Sequence, residues 1–309
     1  MRVFVAGATG AIGRHLVPRL VAAGHEVHGM TRSESKQAML DELGAVPVVA
    51  DALDPDQVAD AVGKAKPDVI VHQLTALAGE GFRGLKDRVA KTNRLRTEGT
   101  DHLLSAGQAV GVRRFVAQSN SALYARTGGP VKSEDDPVDL TPPGRQREAA
   151  AAMVHLEEAV LGAEWTEGIV LRYGGFYGPG TGMGPGGDMH EMIRKRRFPL
   201  VGDGGGVWSF IHIADAAEAT VAAIEHGSRG VYNVVDDDPA PVAEWLPALT
   251  QMLSAKKPRR VPRFVVRLAA GEFGVLMMTE ARGASNAKAK RELRWSPTHP
   301  TWRQGFAAA

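Results

Sequence analysis

Short apolar runs, rich in β-branched residues, recur along the first half of the chain, with polar or turn-forming residues at their ends. Each run has the length and composition of a buried β-strand. The runs lie at residues 3–6, 26–30, 46–49, 68–71, 114–117 and 168–171. The pattern therefore predicts about six strands in this half of the chain.

Segments with helical periodicity separate these runs. In the last segment, Met153, Leu156 and Val160 recur at the spacing of one helix face. The predicted helices cover residues 11–23, 34–43, 54–63, roughly 86–110, and 148–161. Alternating strands and helices imply right-handed crossovers. We therefore predict an α/β fold with a doubly wound, parallel Rossmann-type sheet that is covered by helices on both faces.

The pattern changes after Leu171, where residues 174–206 are rich in glycine and proline. The elements predicted beyond this segment are a strand at 207–212, a helix at 214–225, a strand at 231–235 and a helix at 242–253. We predict a dinucleotide-binding domain over 1–172 and a smaller C-terminal substrate lobe over 173–309. The lobe is expected to interleave with the first domain at the sheet edge, so that the two could form one structural domain.

Composition excludes several classes of protein. The chain has 309 residues, a formal net charge of +2 and no cysteine, so disulfide frameworks, thiolate zinc sites and cysteine nucleophiles are excluded. No apolar run approaches the ~20 residues that span a bilayer, and the N-terminus does not resemble a signal peptide. We expect a cytoplasmic protein that binds neither nucleic acid nor a membrane. The basic run 256–260 is interpreted as a solvated face.

A glycine-rich turn follows the first predicted strand. Gly7 permits a tight turn, Gly10 allows the backbone to approach a pyrophosphate, and Gly13 allows the helix to pack on the strand. Thr9, Ala11 and Ile12 lie between these glycines, where the helix N-terminus offers free N–H groups to phosphates. The turn predicts dinucleotide binding; the alternative is a turn with a structural role only.

The end of the second predicted strand indicates which dinucleotide is bound. NAD sites usually place an acidic residue there for the ribose 2′-hydroxyl, whereas NADP sites offer arginine to the 2′-phosphate. Here the strand is followed by Arg32 and Ser33, with Lys36 one turn further on. We therefore predict that NADP(H) is preferred over NAD(H). Alternatively, Arg32 is a solvated charge at a helix start.

Asp51 follows the third strand and is a candidate acceptor for the adenine amino group of the cofactor. The alternative is an aspartate that caps a helix or stabilises a turn. The ten histidines show no HExxH or comparable spacing, so no metal site is predicted.

Read together, these motifs resemble those of the NAD(P)-dependent epimerase/dehydratase family, the extended and atypical short-chain dehydrogenase/reductases. The resemblance covers nearly the whole chain. Its marks are Gly7-x-x-Gly10-x-x-Gly13, Asp51-Ala52-Leu53-Asp54, Gly99-Thr100, Arg114-Phe115-Val116 leading to Ser119, Leu171-Arg172, Tyr177-Gly178-Pro179-Gly180, His212-Ile213-Ala214-Asp215, Val231-Tyr232-Asn233-Val234 and Leu293-Arg294-Trp295-Ser296-Pro297.

The resemblance implies several site residues and partners. Ala52 beside Asp51, Leu74 and Thr75 after the fourth strand, and Ser119 after the fifth are expected to line the cofactor. A small-molecule substrate is implied, and the helices near 86–110 and 148–161 are expected to pair in a homodimer.

The family's usual catalytic pair, Tyr-x-x-x-Lys on the helix after the fifth strand, does not occur in this chain. In the family the lysine stabilises the phenolate of a tyrosine that is otherwise a weak acid–base group at neutral pH. Alignment on the helix glutamate places Ala149 or Ala150 at the tyrosine position and Met153 or Val154 at the lysine position. No tyrosine lies between 124 and 173, and no lysine between 132 and 195.

Ser119 and Tyr124 are the candidates to replace this pair. Both follow the fifth strand, whose carboxyl end should face the ligand crevice. The phenol of Tyr124 could donate to a substrate carbonyl, and Arg126 could lower the pKa of that phenol. In the alternative interpretation, Tyr124 packs as a loop aromatic and Ser119 only contacts the cofactor.

Three functions are compatible with the sequence. The first is an NAD(P)-dependent oxidoreductase or epimerase-like enzyme that acts on a small carbonyl or alcohol compound with non-standard acid–base residues. The second is a catalytically silent NADP-binding redox sensor, which the absence of the Tyr/Lys pair favours. The third is a lyase or isomerase on the same fold. The elaborate second half of the chain favours a substrate, and therefore the first function.

Overall fold

A computed structural model describes residues 1–77, 84–144 and 146–307 of the chain. Its strands are β1 (Arg2–Ala6), β2 (Glu26–Thr31), β3 (Val46–Val49), β4 (Val69–His72), β5 (Arg114–Asn120), β6 (Val131–Lys132), β7 (Glu167–Tyr173), β8 (Gly175–Tyr177), β9 (Leu200–Val201), β10 (Val207–Trp208), β11 (Phe210–His212), β12 (Gly230–Val234), β13 (Ala240–Pro241), β14 (Arg260–Val261) and β15 (Gly283–Ala284).

Helices connect these strands, and short 3-10 turns occupy Glu34–Lys36 and Ser121–Leu123. The α-helices are α1 (Gly13–Ala22), α2 (Gln37–Glu42), α3 (Pro55–Ala65), α4 (Leu85–Arg96), α5 (Glu98–Val110), α6 (Gln146–Gly162), α7 (Asp188–Arg194), α8 (Ile213–His226), α9 (Val242–Met252), α10 (Arg263–Thr279), α11 (Ala287–Glu292) and α12 (Trp302–Ala307).

A seven-stranded parallel sheet forms the centre of the molecule, in the order β12-β7-β5-β4-β1-β2-β3. The strand order reverses between β1 and β4, which pair in parallel with Ala6 opposite His72. The predicted doubly wound α/β sheet is confirmed, and all six predicted strands belong to it. Ligands of such sheets bind outside the carboxyl ends of the strands at the point of reversal.

Side chains alternate between the two faces of this sheet, and each face has its own apolar core. Val3 and Val5 of β1 face α1 and α8, whereas Phe4 and Ala6 of the same strand face α3, α5 and α6. Burial on both faces explains why the strands are continuous apolar runs rather than alternating ones.

The structure differs from the predicted elements at three places. The long helix expected near 86–110 is two helices, α4 and α5, because the backbone at Thr97 is not helical (φ −95°, ψ −85°). The strand expected at 207–212 is divided into β10 and β11 at Ser209. The strand expected at 231–235 is β12, the seventh strand of the central sheet.

Part of the second half, including β9, α9 and α12, packs around a separate apolar cluster, which includes Phe210, Trp245 and Trp302. Helices α8 and α11 instead pack with the core of the central sheet. Since β12 returns to the central sheet, the segment predicted as the substrate lobe also contributes a strand to the first domain. The boundary at residue 172 stays a prediction. Among the described residues, no helix has the length and apolar character required to traverse a bilayer.

Candidate functional site

The loops after β1 and β4 touch at the point where the strand order reverses. Gly7 has φ +96°, and a Cβ built on it would lie 2.8 Å from the carbonyl oxygen of Gln73. A side chain at this position would therefore clash with the backbone after β4 as well as strain the turn. Gly7 thus holds the two loops of the crevice in contact.

In the rest of the glycine-rich turn, the backbone is exposed to solvent at Gly10. The N–H of Gly10 donates to the Gly7 carbonyl at 2.9 Å, and Gly10 itself is exposed. A Cβ on Gly13 would lie 2.4 Å from the carbonyl oxygens of both Gly7 and Ala8, so α1 begins in direct contact with the turn. Thr9 and Ala11 are half-buried and Ile12 is buried beneath them. This exposed, side-chain-free backbone at a helix start fits a pyrophosphate.

Arg32 and Ser33 lie at the carboxyl end of β2, as predicted. Arg32 is exposed, and its guanidinium has no hydrogen bond or ion pair within the described parts of the chain. Ser33 is half-buried; its Oγ lies 2.7 Å from Ser35 Oγ, and its N–H donates to Thr31 Oγ1. The guanidinium is therefore free to meet an anion at this edge.

Asp51 and Ala52 lie at the carboxyl end of β3, next along the same edge. Asp51 is half-buried, and its Oδ1 accepts from the N–H of Leu53 at 3.1 Å, so the carboxylate stabilises its own turn. Asp54, not Asp51, caps α3. Ala52 is buried, and its carbonyl accepts from His102 Nδ1 at 2.9 Å. Oδ1 of Asp51 is engaged in the turn, which is compatible both with a structural role in the turn and with a role as acceptor for the adenine amino group.

Leu74 and Thr75 follow β4 and are half-buried beside Gly7. The backbone of Leu74 is held by His72, a buried residue that sequence reasoning missed. Its Nδ1 accepts from the Leu74 N–H at 3.2 Å, so Nε2 carries the proton and faces Leu95 O at 3.2 Å and Thr100 Oγ1 at 3.1 Å. Burial lowers the pKa of His72 from 6.5 to about 4, and the ring is neutral.

This buried histidine predicts a loss of stability in acid. The unfolded chain protonates His72 below about pH 6.5, whereas the folded state resists protonation down to about pH 4. The stabilisation is therefore complete above pH 6.5 and is lost between pH 6.5 and 4, by up to about 3 kcal/mol. Urea unfolding at pH 7 and pH 5 should show a smaller acid loss in His72→Gln than in the wild type. His226→Gln, which alters an exposed histidine at the end of α8, is the control, and equal pH slopes in all three proteins would contradict the expectation.

Ser119, near the end of β5, points into the protein. Its Oγ donates to Glu157 Oε1 of α6 at 2.6 Å, and Ser119 is 2% exposed. Glu157 also accepts from Arg172 of β7, with Nε–Oε1 at 2.9 Å and Nη2–Oε2 at 2.5 Å. The buried cluster of Ser119, Glu157 and Arg172 therefore ties β5, α6 and β7 together. Neither Glu157 nor Arg172 was singled out from the sequence as a partner of Ser119.

Tyr124 lies against the same cluster. Its hydroxyl donates to Asn233 Oδ1 of β12 at 2.8 Å, and the Arg172 guanidinium lies 4.9 Å from the centre of its ring. Burial raises the pKa of Tyr124, and Arg172 and Asn233 offset this only in part. The expectation that Arg126 lowers this pKa is wrong, because Arg126 pairs with Asp139 at 2.6 Å instead. Participation of Ser119 and Tyr124 in catalysis stays a prediction.

Asn120 is the residue of this loop that faces outward. It is the last residue of β5 and is exposed. Its Oδ1 accepts from the Ala122 N–H at 2.7 Å, and within the described residues its Nδ2 has no partner. The Nδ2 group of Asn120 is therefore a donor without a partner among the described residues. It lies at the carboxyl end of β5, where Ser119 was predicted to act.

The first turns of α6 lie beside this end of β5. Ala149 and Ala150 are buried and Met153 is half-buried, and α6 carries neither tyrosine nor lysine along its length. His155 pairs with Asp101 of α5 at 2.8 Å on the outer side of the helix. The first turns of α6 therefore carry small and apolar side chains and no phenol or amine, and Asn120 is exposed at the carboxyl end of β5.

Comparison with known proteins agrees with this geometry. The family model described as "NAD dependent epimerase/dehydratase family" matches residues 3–235. A 3-diazoavenalumate denitrifying reductase from a Streptomyces species is 45% identical over 312 residues, covering 99% of each chain. A 2-alkyl-3-oxoalkanoate reductase from Stenotrophomonas maltophilia is 29% identical and covers 89% of this chain and 82% of its own.

The fold is shared with solved structures. The UDP-glucose 4-epimerase of Thermotoga maritima, solved with UDP-glucose, superposes with a TM-score of 0.78. It is 20% identical and covers 99% of this chain and 96% of its own, a level of identity that establishes the fold alone. The resemblance drawn from the motifs is confirmed: the chain belongs to the NAD dependent epimerase/dehydratase family.

Proposed function

We propose that this protein is an NADPH-dependent reductase that transfers hydride to the carbon of a diazo-bearing compound and releases dinitrogen. The observation that carries the proposal is the absence of tyrosine and lysine from α6, beside a buried Ser119 that donates to Glu157. The 45% identical relative is named as a denitrifying reductase of a diazo compound, which supports the same class of substrate.

The proposed reaction consumes no proton, which explains why a site without tyrosine or lysine on α6 would be able to catalyse it. Hydride addition to a carbonyl leaves an alkoxide that must be protonated, which is the task of a tyrosine acid. The diazo compound would react in its cationic diazonium form, since a neutral diazo carbon would need a proton as well as hydride. The diazonium carbon accepts hydride and forms a C–H bond as its C–N bond breaks, and the nitrogen leaves as neutral N₂. Charge and electrons balance without a proton: R–N₂⁺ and H⁻ give R–H and N₂. An acid–base relay on α6 is therefore unnecessary.

The residues at the carboxyl edge of the sheet fit the cofactor. The exposed backbone at Gly10 and the N-terminus of α1 would hold the pyrophosphate. A Cβ on Gly7 or Gly13 would clash with neighbouring backbone atoms, so the shape of this site requires both glycines. Leu74, whose backbone N–H donates to His72, and the adjacent Thr75 would line the cofactor. When bound, NADPH supplies the hydride.

Arg32 would determine the preference for NADPH, because its free guanidinium lies where the 2′-phosphate is expected. Arg32→Ala should weaken NADPH binding by about 10–100-fold, the effect of losing a hydrogen bond to a charged group. NADH binding should change by less than about threefold. Fluorescence titration of both cofactors measures this without a substrate. Lys64→Ala, an exposed cation on α3, is the control, and equal losses for both cofactors would refute the preference.

Asn120 would orient the substrate through its Nδ2 donor. Asn120→Asp keeps the Oδ1 acceptor for the Ala122 N–H, replaces the Nδ2 donor by a carboxylate oxygen and adds one negative charge. We expect a three- to tenfold fall in kcat/KM, typical of one neutral hydrogen bond, with unchanged cofactor affinity and thermal stability. Ser121→Ala, which alters the neighbouring buried hydroxyl, serves as comparison. Full activity in Asn120→Asp would remove Asn120 from the substrate site.

Turnover of 3-diazoavenalumate tests the proposed function. The purified protein with NADPH should consume the diazo compound, and ¹⁵N-labelled substrate should release labelled N₂. With NADPH deuterated at the transferred position, deuterium should appear at the carbon that carried the diazo group. In D₂O with unlabelled NADPH, that carbon should gain no deuterium. NADPH oxidation without N₂ release would refute the diazo assignment.

A ketoreductase is the second candidate, because the 29% identical relative is named as a reductase of 3-oxoalkanoates and the Asn120 amide can donate to a carbonyl. The same assay with 2-alkyl-3-oxoalkanoates separates the two functions. Reduction of the ketone with no diazo turnover would favour this candidate. Tight NADPH binding without oxidation on either substrate would favour a redox sensor.

A further inference from the structure

Two basic runs, about sixty residues apart in sequence, lie together on the surface of the C-terminal half. Strand β14 pairs in parallel with β9, with Arg260 opposite Leu200, and the Leu200 N–H donates to the Arg259 carbonyl at 2.9 Å. Arg196 Nε donates to the Lys257 carbonyl at 2.8 Å. The exposed cations of this basic surface are Arg194, Lys195, Arg196, Arg197, Lys256, Lys257, Arg259 and Arg260.

Most of these charges are not neutralised within the molecule. Arg194 and Lys195 share Glu191, at 2.8 and 2.9 Å. In the part of the chain that the structure describes, the remaining members of the basic surface have no carboxylate within ion-pair distance. Because the whole protein carries a net charge of only +2, this cluster is a local concentration of positive charge.

An exposed apolar helix start adjoins the basic surface. Helix α10 begins directly after β14, and its Phe264 and Leu268 are 63% and 87% exposed. They stand four residues apart and therefore lie on one side of the helix. Val266 packs against the apolar cluster of the lobe, which fixes this helix turn with its apolar side outward.

The helical segment that carries Phe264 and Leu268 ends at Gly271. At Gly271 the backbone leaves the helical region (φ +75°, ψ +175°), so residues 263–270 form a separate two-turn piece. Arg263 and Arg267 flank its apolar side and are paired with Asp203, Glu280 and Glu272. A short helix with exposed large apolar side chains and cations around it is the pattern of a segment that lies in a membrane interface.

We propose that this face docks the protein on an anionic lipid bilayer, with the basic surface meeting the headgroups and Phe264 and Leu268 entering the interface. Positive charge alone would also suit nucleic acid, but phosphate backbones give no reason to expose a phenylalanine and a leucine. Charge and apolar insertion together are what reversible binding to an anionic leaflet requires, since polybasic segments and buried apolar area each contribute. The proposal is independent of the reaction catalysed.

Vesicle sedimentation tests the docking. The wild-type protein should sediment with phosphatidylcholine vesicles that contain phosphatidylglycerol, and not with phosphatidylcholine alone. The charge variant Arg197→Gln, Lys256→Gln, Lys257→Gln and Arg259→Gln removes exposed cations whose side chains form no hydrogen bond or ion pair with any described residue. It should bind anionic vesicles about tenfold or more weakly. The apolar variant Phe264→Gln and Leu268→Gln should show a comparable loss at unchanged charge.

A second four-charge variant serves as the matched control: Lys36→Gln, Lys66→Gln, Lys86→Gln and Arg294→Gln, all exposed cations outside the basic surface and without an ion pair to any described residue. It should bind vesicles within about twofold of the wild type. Circular dichroism melts of all variants confirm folding before binding is compared. Wild-type protein that does not sediment with anionic vesicles would overturn the proposal, as would an apolar variant that binds like the wild type. Retention on duplex DNA or polyglutamate without vesicle binding would assign the surface to another partner and overturn it too.

Discussion

Glu157→Ala is expected to lower the free energy of unfolding by about 3–5 kcal/mol, the loss that follows when one partner of a buried ion pair is removed. The side chains of Arg172 and Glu157 are only 6% and 8% exposed. Without the carboxylate, the guanidinium remains charged inside the protein, between β7 and α6, and Ser119 loses its acceptor. The cost is therefore an uncompensated charge in addition to lost hydrogen bonds.

Arg172 cannot escape this cost by losing its proton. In the wild type, burial opposes its charge but the hydrogen bonds and the charge of Glu157 raise the pKa of the guanidinium. In Glu157→Ala this support is lost, but the ordinary pKa of arginine is so far above neutral that the guanidinium stays charged. Tyr124 contributes a second contact, since the Arg172 guanidinium lies 4.9 Å from its ring centre. Both the ion pair with Glu157 and the contact with the Tyr124 ring depend on the position of Arg172 in this cluster.

Two further variants separate the charge from the packing. Glu157→Gln retains an acceptor for Ser119 and one arginine N–H, so its loss of stability in urea unfolding should be intermediate. In the double variant Glu157→Leu with Arg172→Met, no charge is left behind, and most of the loss should be recovered. A Glu157→Ala variant less than 1 kcal/mol below the wild type, or a double variant worse than Glu157→Ala, would contradict this account.

The elements of the sheet could be predicted because burial on both faces makes each strand a continuous apolar run. The same signal could not assign β12 to the central sheet, because a strand's neighbours depend on the path of the chain between them. The break at Thr97 was also hidden, since the residues on both sides of it favour a helix and only the backbone angles at Thr97 interrupt it.

The direction of Ser119 was available from the sequence. Ser119 is two residues beyond Ala117 and four beyond Phe115, so strand alternation places all three on the face that packs against α6. Glu157 lies on the buried side of α6 with Leu156 and Val160, and a lone carboxylate there predicts a buried partner. Alternation places Asn120 on the opposite face of the sheet, the face of Val116, and its exposure follows from its position as the last residue of β5.

The cofactor turn could be located from its glycines, but the reason that each glycine is required is a matter of distance. Gly10 is exposed and its Cβ position meets only the Gly7 carbonyl at 3.1 Å, whereas a Cβ on Gly13 meets two carbonyl oxygens at 2.4 Å. The spacing of the glycines does not distinguish Gly10 from Gly13, whereas these distances show that a side chain is less tolerated at Gly13.

Gly13→Ala is therefore expected to weaken NADPH binding by about 10–100-fold, because the added methyl group must push the start of α1 away from the turn. The carbonyls in question belong to Gly7 and Ala8, which are backbone atoms and cannot rotate aside as a flexible side chain would. Displacing them moves the exposed N–H groups that would hold the pyrophosphate. Fluorescence titration with NADPH measures the loss directly, without a substrate.

Gly63→Ala provides the matched control, since Gly63 lies within α3 and a Cβ there meets no atom within 4 Å. The same methyl group in open space should leave NADPH affinity unchanged and raise stability by about 0.4–1 kcal/mol, since alanine restricts the unfolded chain. If the two variants bound NADPH equally well, the contact between α1 and the turn would not control the cofactor site. Such a result would separate the glycine pattern from cofactor binding and leave the turn with a structural role alone.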